Sequence, residues 1–277
     1  MLTASQLKSL LASHGLRLTK RLGQHYLIDA RMIQRVVESC RLSPQDTVVE
    51  IGAGLGALTE PLADRAGRVI ALEVDRAIGA LLRERLKLLA NVTVLCEDAL
   101  EFSWRAIADA VVVGAIPYHI TSPMLIVLGE HRETIRRTVL ILQEEVGDRL
   151  LAQPGTKAYG RLSVLGQYCW EMARRFRIPR QAFFPQPEVD SLVLELVSRR
   201  TPPVAVAQEA LFFEVVKAAF SQRRKTLVNC LMTLHGEHLR REAVERWVRD
   251  AGLPLTVRGE ALSLEQFSRL ANIVELT

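Results

Sequence analysis

The sequence predicts an α/β protein in which a doubly wound parallel sheet, covered by helices on both faces, is followed by a small all-helical carboxyl-terminal domain. Three observations carry this. From residue 47 onward short apolar runs alternate with stretches of helical periodicity, as βαβ units do. The segment "SRRTPPVAV", Ser198 to Val206, has paired arginines, paired prolines and no periodicity, so it reads as a link. Beyond it the pattern is almost wholly helical. The expected division is therefore residues 1–198 and 199–277.

In chain order, "TVVEIG" reads as the first core strand, and a helix starts near Leu58. "RVIALEV" is the second strand, "AIGALLRERLKLL" a helix, "VTVLCED" the third strand and "AVVVGAI" the fourth. "TVLILQ" and "SLVLELV" are further strands. After the link, "ALFFEVVKAAFSQRRKTLVNCLMTL" and "LRREAVERWVRDAGL" read as helices. With 277 residues, 49% of them hydrophobic, the chain can build a large core and a smaller one.

Composition narrows the function. The longest apolar runs fall well short of the roughly 18 residues a membrane helix needs. Gln6, Lys8 and His14 interrupt the amino-terminal stretch where a secretory signal would be unbroken. The expectation is a cytoplasmic protein with no membrane partner. Cys40, Cys96, Cys169 and Cys230 are widely spaced, with no C-x-x-C pair, so they read as reduced thiols and no metal is expected. Charge is uneven: residues 1–41 carry seven Lys/Arg against two Asp/Glu, residues 42–198 carry 17 against 20, and residues 199–277 carry 12 against nine. Basic ends favour a polyanionic partner such as a nucleic acid.

The turn after the first strand is "EIGAGLGALT". Gly52, Gly54 and Gly56 stand where a strand bends into a helix, whose first N–H groups and partial positive charge suit an anion or a polar ligand. Gly52, Gly54 and Ala57 also fit the dinucleotide fingerprint. Glu73 ends the second strand, where a carboxylate accepts both hydroxyls of a ribose. Asp98 follows the third strand, suited to accept from the exocyclic amine of an adenine. Together they indicate an adenosine cofactor, either S-adenosylmethionine or a nicotinamide dinucleotide.

The fourth strand end separates these. In "GAIPYHITSP", Pro117 fixes φ and forces a turn that presents Tyr118 at the sheet edge. A dehydrogenase has no evident use for such a ring. An enzyme that methylates an exocyclic base amine does, because the base is extruded and clamped by stacking. The amine is a poor nucleophile, so the site must also accept hydrogen bonds from its N–H groups. The device is a polar residue, a short linker, proline and an aromatic. Here it reads Ala115-Ile116-Pro117-Tyr118, with an alanine in the polar place.

These motifs, with "KRLGQHYLID", "ALEVD", "EDAL", "PGTKAYGRLSV", "FFPQPEVDS" and "FSQRRKTL", resemble over nearly the whole length those of the small-subunit ribosomal RNA adenine dimethyltransferases. The resemblance implies a Rossmann-like methyltransferase fold. It also implies S-adenosylmethionine as cofactor and methylation of two adjacent adenosines near the 3′ end of small-subunit rRNA, by a monomer. By position, it makes His25, Leu27, Gly52, Gly54, Glu73, Asp98 and Ala115 the cofactor residues. Tyr118 stacks on the target adenine, and Phe183 packs on its other face. Lys157, Arg161, Arg223, Arg224 and Lys225 contact RNA phosphates. Two positions depart from the family's usual asparagine: His25 and Ala115. The second leaves two readings, an enzyme weakened by a missing acceptor or a non-catalytic RNA-binding ribosome assembly factor.

Overall fold

The apolar runs do become strands, and their order places the site. The structure, a computed structural model, describes residues 3–16, 24–117, 120–234 and 239–274. Helix α1 (Ala4–Ser13) opens on a Thr3 capping box, with Gln6 Oε1 accepting from the Thr3 N–H. Strand β1 (Tyr26–Leu27) precedes α2 (Ala30–Cys40), whose N-cap Asp29 accepts from the N–H groups of Arg31 and Met32. There follow β2 (Thr47–Ile51), α3 (Thr59–Ala63), β3 (Arg68–Leu72), α4 (Arg76–Arg85), β4 (Val92–Leu95), β5 (Ala110–Ala115), α5 (Thr121–Glu130), β6 (Ile135–Gln143) and α6 (Glu144–Leu151). Then come α7 (Arg161–Cys169), β7 (Trp170–Ile178), β8 (Phe183–Phe184) and β9 (Ser191–Ser198). Helices α8 (Glu209–Ala219), α9 (Leu227–Leu231), α10 (Arg241–Asp250) and α11 (Leu264–Ile273) complete the described chain.

Among the described residues the main sheet runs β4-β3-β2-β5-β6-β9-β7. Strands β4 to β6 in that order are mutually parallel, and β9 is antiparallel to β6. Val48, Val49, Val111, Val112 and Val113 are fully buried, as expected of central parallel strands covered on both faces. Strand order reverses between β2 and β5, so the crevice at their carboxyl ends is the place where such sheets bind ligands.

Two compact units emerge: residues 1–147 with 171–198, and residues 148–170 with 199–277. The second unit takes up the chain again at residue 199, and residues 148–170 cluster with the helices and not with the sheet. The cause is packing: Tyr168 of α7 stacks on Phe212 of α8 at 4.9 Å, and the buried Tyr159 donates from its hydroxyl to the Leu262 carbonyl. The continuous helix read across residues 210–234 is interrupted. Residues 221–226, which carry Arg223, Arg224 and Lys225, form a turn between α8 and α9.

Candidate cofactor and methyl-transfer site

The loop after β2 is held from three sides. The N–H groups of Gly52 and Ala53 both donate to the Leu72 carbonyl at 3.0 Å, which pins the turn to the end of β3. The Gly54 N–H donates to Glu73 Oε2 at 2.8 Å, and the Asp75 N–H donates to Glu73 Oε1 at 3.0 Å. Gly54 has φ of +56°, and a Cβ there would stand 2.8 Å from the Tyr26 ring. Gly52, at φ of +70°, faces the Ala115 carbonyl, which would lie 3.3 Å from an added Cβ. The sequence needs glycine at both positions because the backbone is left-handed and its neighbours are close.

Glu73 is buried, and burial pushes its carboxyl above the ordinary range against the opposing hydrogen bonds from Asp75 and Gly54. The N–H groups of Gly54, Asp75 and Val74 all donate to this carboxylate, which has about four lone-pair sites and so retains capacity for a further donor. Asp75 caps α4 through the N–H groups of Ala77 and Ile78 and accepts from Gln24 Nε2 at 3.4 Å. At the next βα turn Asp98 Oδ1 accepts from the Leu100 N–H at 2.9 Å.

Below the turn lies Glu50, 1% exposed, which accepts from Thr59 Oγ1 at 2.5 Å and so ties β2 to the first residue of α3. Burial pushes its carboxyl up to about 8. Sequence reasoning passed over it, although an acid inside an apolar strand run was a visible signal.

The amino-terminal motif reaches this site through a bridge of two residues on each side. Tyr26 pairs with Phe184 and Leu27 with Phe183, antiparallel. The Ile28 N–H donates to the Ala182 carbonyl at 2.9 Å, and His25 Nδ1 lies 2.7 Å from the Pro185 carbonyl. The bridge sets the Tyr26 ring over Gly54. Burial, reinforced by the carboxylates of Glu73 and Asp75, pushes the Tyr26 phenol above its ordinary range. Its hydroxyl is buried with no described partner. Val74, between Glu73 and Asp75, leaves 52% of its surface exposed.

A glycine cradle, two acids at successive strand ends, an orphaned buried hydroxyl and an exposed apolar side chain fit an adenosine-bearing cofactor. Glu73 suits a ribose, Asp98 an exocyclic amine and Val74 the face of a purine. Sequence reasoning missed Tyr26 and Val74, since neither burial nor exposure is written in residue type.

The acceptor half is arranged differently. Ala115 is the last residue of β5, paired with Ile141, and Ile116 is buried. The Pro117 carbonyl accepts from the Ile120 N–H and Thr121 Oγ1, closing the turn onto α5. Tyr118 lies outside the described residues. Phe183 is 5% exposed and belongs to a buried cluster with Leu27, Ile33, Ile178 and Val193, against which Ala115 also packs. Its neighbour Phe184 is only partly buried, and the Lys8 ammonium stands 4.9 Å above its ring.

In the second unit, Arg161 and Arg223 line one cavity of about 340 Å³ with Arg149, Lys217, Tyr159 and Glu260. Arg223 pairs with Glu260 at 3.3 Å and donates to the Lys157 carbonyl. The five basic residues expected at RNA thus include three brought together here, with Arg224 and Lys225 exposed on the adjoining turn.

Residues 15–275 match the Ribosomal RNA adenine dimethylase family. The chain belongs to the ribosomal RNA adenine dimethylase family. It is 41% identical over 283 residues to a ribosomal RNA small subunit methyltransferase A of Bacillus cereus, covering 99% of this chain and 97% of that one. A Bacillus anthracis relative of the same description matches equally well. Among solved structures, the 23S rRNA methyltransferase ErmE superposes with a TM-score of 0.66 at 29% identity, covering 90% of this chain and 98% of that one. A dimethyladenosine transferase from Plasmodium falciparum gives a TM-score of 0.71 at 23% identity over 88% of this chain and 95% of that one, a likeness of fold.

Proposed function

We propose that this family member uses S-adenosylmethionine to methylate the exocyclic amines of two adjacent adenosines near the 3′ end of small-subunit rRNA. It acts as a monomer in the cytoplasm. The observation that carries this is the glycine turn at the β2/β5 reversal, latched to Glu73, with Gly52 facing the Ala115 carbonyl. The cofactor, when bound, supplies an electrophilic sulfonium methyl.

Every other part falls to the chain. Glu73 and Asp98 accept from the ribose and adenine of the donor, while Gly54, with no side chain, lets the Tyr26 ring close down on the turn. Leu27 and the His25 region close the pocket through the β1–β8 bridge. At the acceptor, Pro117 turns the chain so that Tyr118 stacks on the extruded base. The backbone carbonyl of Ile116 accepts one N–H of the target amine, which draws its lone pair out of conjugation, and the proton leaves after attack. Ala115 offers no side-chain acceptor. One missing hydrogen bond that strengthens in the transition state costs roughly 2–4 kcal/mol, a slowing of about 30- to 1,000-fold, and does not abolish catalysis. The non-catalytic assembly factor rested on this alanine alone, and the kinship to methyltransferases gives it no support.

The deciding experiment measures radiolabelled methyl transfer to unmethylated small subunits by the parent chain and by Ala115→Asn. Transfer by the parent that rises in the variant is expected. Background counts from both would overturn the assignment.

A further inference from the structure

On α2 and β7 lies a second concentration of charge that the methyl-transfer site does not use. Glu195 on β9 is nearly buried, its side chain 3% exposed, and three guanidinium groups converge on it: Arg41, Arg137 at 3.0 Å, and Arg175. Burial works against its charge, yet hydrogen bonds from Arg175 and Arg41 hold its carboxyl below the ordinary range. One carboxylate cannot satisfy three guanidinium groups, which bring about fifteen N–H donors between them. Arg137 spends one of these on the Cys40 carbonyl at 2.9 Å.

Above this cluster opens a cleft of about 290 Å³, lined by Arg35, Glu38, Ser39, Arg41, Arg175 and Phe176. The Arg35 guanidinium lies 3.9 Å from the centroid of the Phe176 ring and has no carboxylate partner among the described residues. Glu38 accepts from Gln34 and is the acid lining the cleft. Three lining arginines against Glu38, with Arg137 and Glu195 paired beneath, leave a local surplus of two positive charges.

Protection of an exposed sheet edge accounts for arginines on β7, the last strand in the order, but not for those on α2. Arg41 is more telling. It ends α2 with φ of 48°, the left-handed conformation usually given to glycine or asparagine. A long cation is kept where a smaller residue would be less strained, and its side chain faces the cleft.

We propose that the cleft between α2 and β7 binds a backbone phosphate of the ribosomal RNA, away from the methyl-transfer edge. This rests on the rRNA reading above. Arg137 stands six residues before the carboxyl end of β6, about 20 Å along the strand. A phosphate held here belongs to a different part of the folded RNA from the extruded adenosine. Arg35 and Arg41 offer N–H groups to it, Arg175 completes the cradle, and the Phe176 ring keeps Arg35 in place.

The test is binding of unmethylated small subunits to the full chain across a series of salt concentrations, for the parent, Arg35→Glu, Arg35→Gln and Arg41→Ala. Arg105→Glu, an exposed charge reversal elsewhere, is the control. Arg35→Glu should weaken binding about 10-fold and Arg35→Gln about threefold, each making the salt dependence shallower by about one phosphate contact. Cofactor affinity, read by titration calorimetry, should not move. Variants that bind within twofold of the parent with the same salt slope would overturn the site, as would an equal loss in Arg105→Glu. A parent and an Ala115→Asn variant that both fail to methylate subunits sink the functional reading itself, whereas methylation with indifferent Arg35 variants sinks only the cleft.

Discussion

The donor and acceptor halves of the site sit at neighbouring strand ends and are built on opposite plans. Around the Gly52–Gly56 turn nearly every backbone group has an assigned partner: Leu72, Glu73 and Asp75 fix it, Tyr26 caps it, and Glu50 with Thr59 braces it from below. At Ala115–Pro117 the chain offers a buried isoleucine, a proline turn and an alanine without a polar atom. The half proposed to hold the donor is over-determined. The half proposed to admit a base is sparse in polar side chains among the described residues. Preorganisation is concentrated where the ligand is always the same molecule.

This contrast can be attacked from either side. The largest effect is expected for Gly54→Leu, which forces a side chain into the Tyr26 ring at positive φ. Cofactor affinity measured by calorimetry should fall by more than about 100-fold, beyond what the accompanying drop in melting temperature explains. Retained affinity would mean the turn is not the donor cradle. Phe183→Ala comes next. As a core ring it should cost about 3–4 kcal/mol in urea unfolding, with a much smaller loss for Phe184→Ala. Equal losses would return Phe183 to the site.

Ala115→Asn should raise methyl transfer by about 30-fold, roughly 2 kcal/mol, at unchanged cofactor affinity. A change confined to affinity would show that position 115 serves the donor half. The smallest and most graded effect concerns Glu50. Its folded-state carboxyl sits at about 8 against an ordinary 4.5, so the neutral form is favoured by folding. Its contribution to stability is complete below pH 4.5, falls as pH rises towards 8 and is constant above that, with a slope on the order of 1 kcal/mol per pH unit. Glu50→Gln keeps an acceptor for Thr59 and should flatten the decline in unfolding free energy between pH 5 and 8. An unchanged slope would place the titration elsewhere.

Much of the first unit was legible. β2, β3, β5, β6 and β9 coincide with apolar runs because inner strands are buried on both faces and need no alternation, and β4, an edge strand, was visible as a short apolar run. The places of Gly52, Glu73 and Asp98 after β2, β3 and β4 were legible because each follows an apolar strand run. β7 was not: "WEMARRFRI" is rich in arginine, as an edge strand with one side in solvent can be. The attachment of residues 148–170 to the helical unit was hidden too, since it depends on rings meeting across the fold, Tyr168 on Phe212. Phe183 and Phe184 are identical in type, and only the register of a two-residue bridge decides which one is core.

That bridge has a consequence for the timing of the protein's own synthesis. The ring over Gly54 is held by residues near position 184, more than 150 positions downstream. A growing chain can fold its glycine bend early yet leave the donor pocket unroofed until most of the message is translated. Unfinished copies still attached to a translating ribosome would therefore carry an incomplete pocket at the glycine bend.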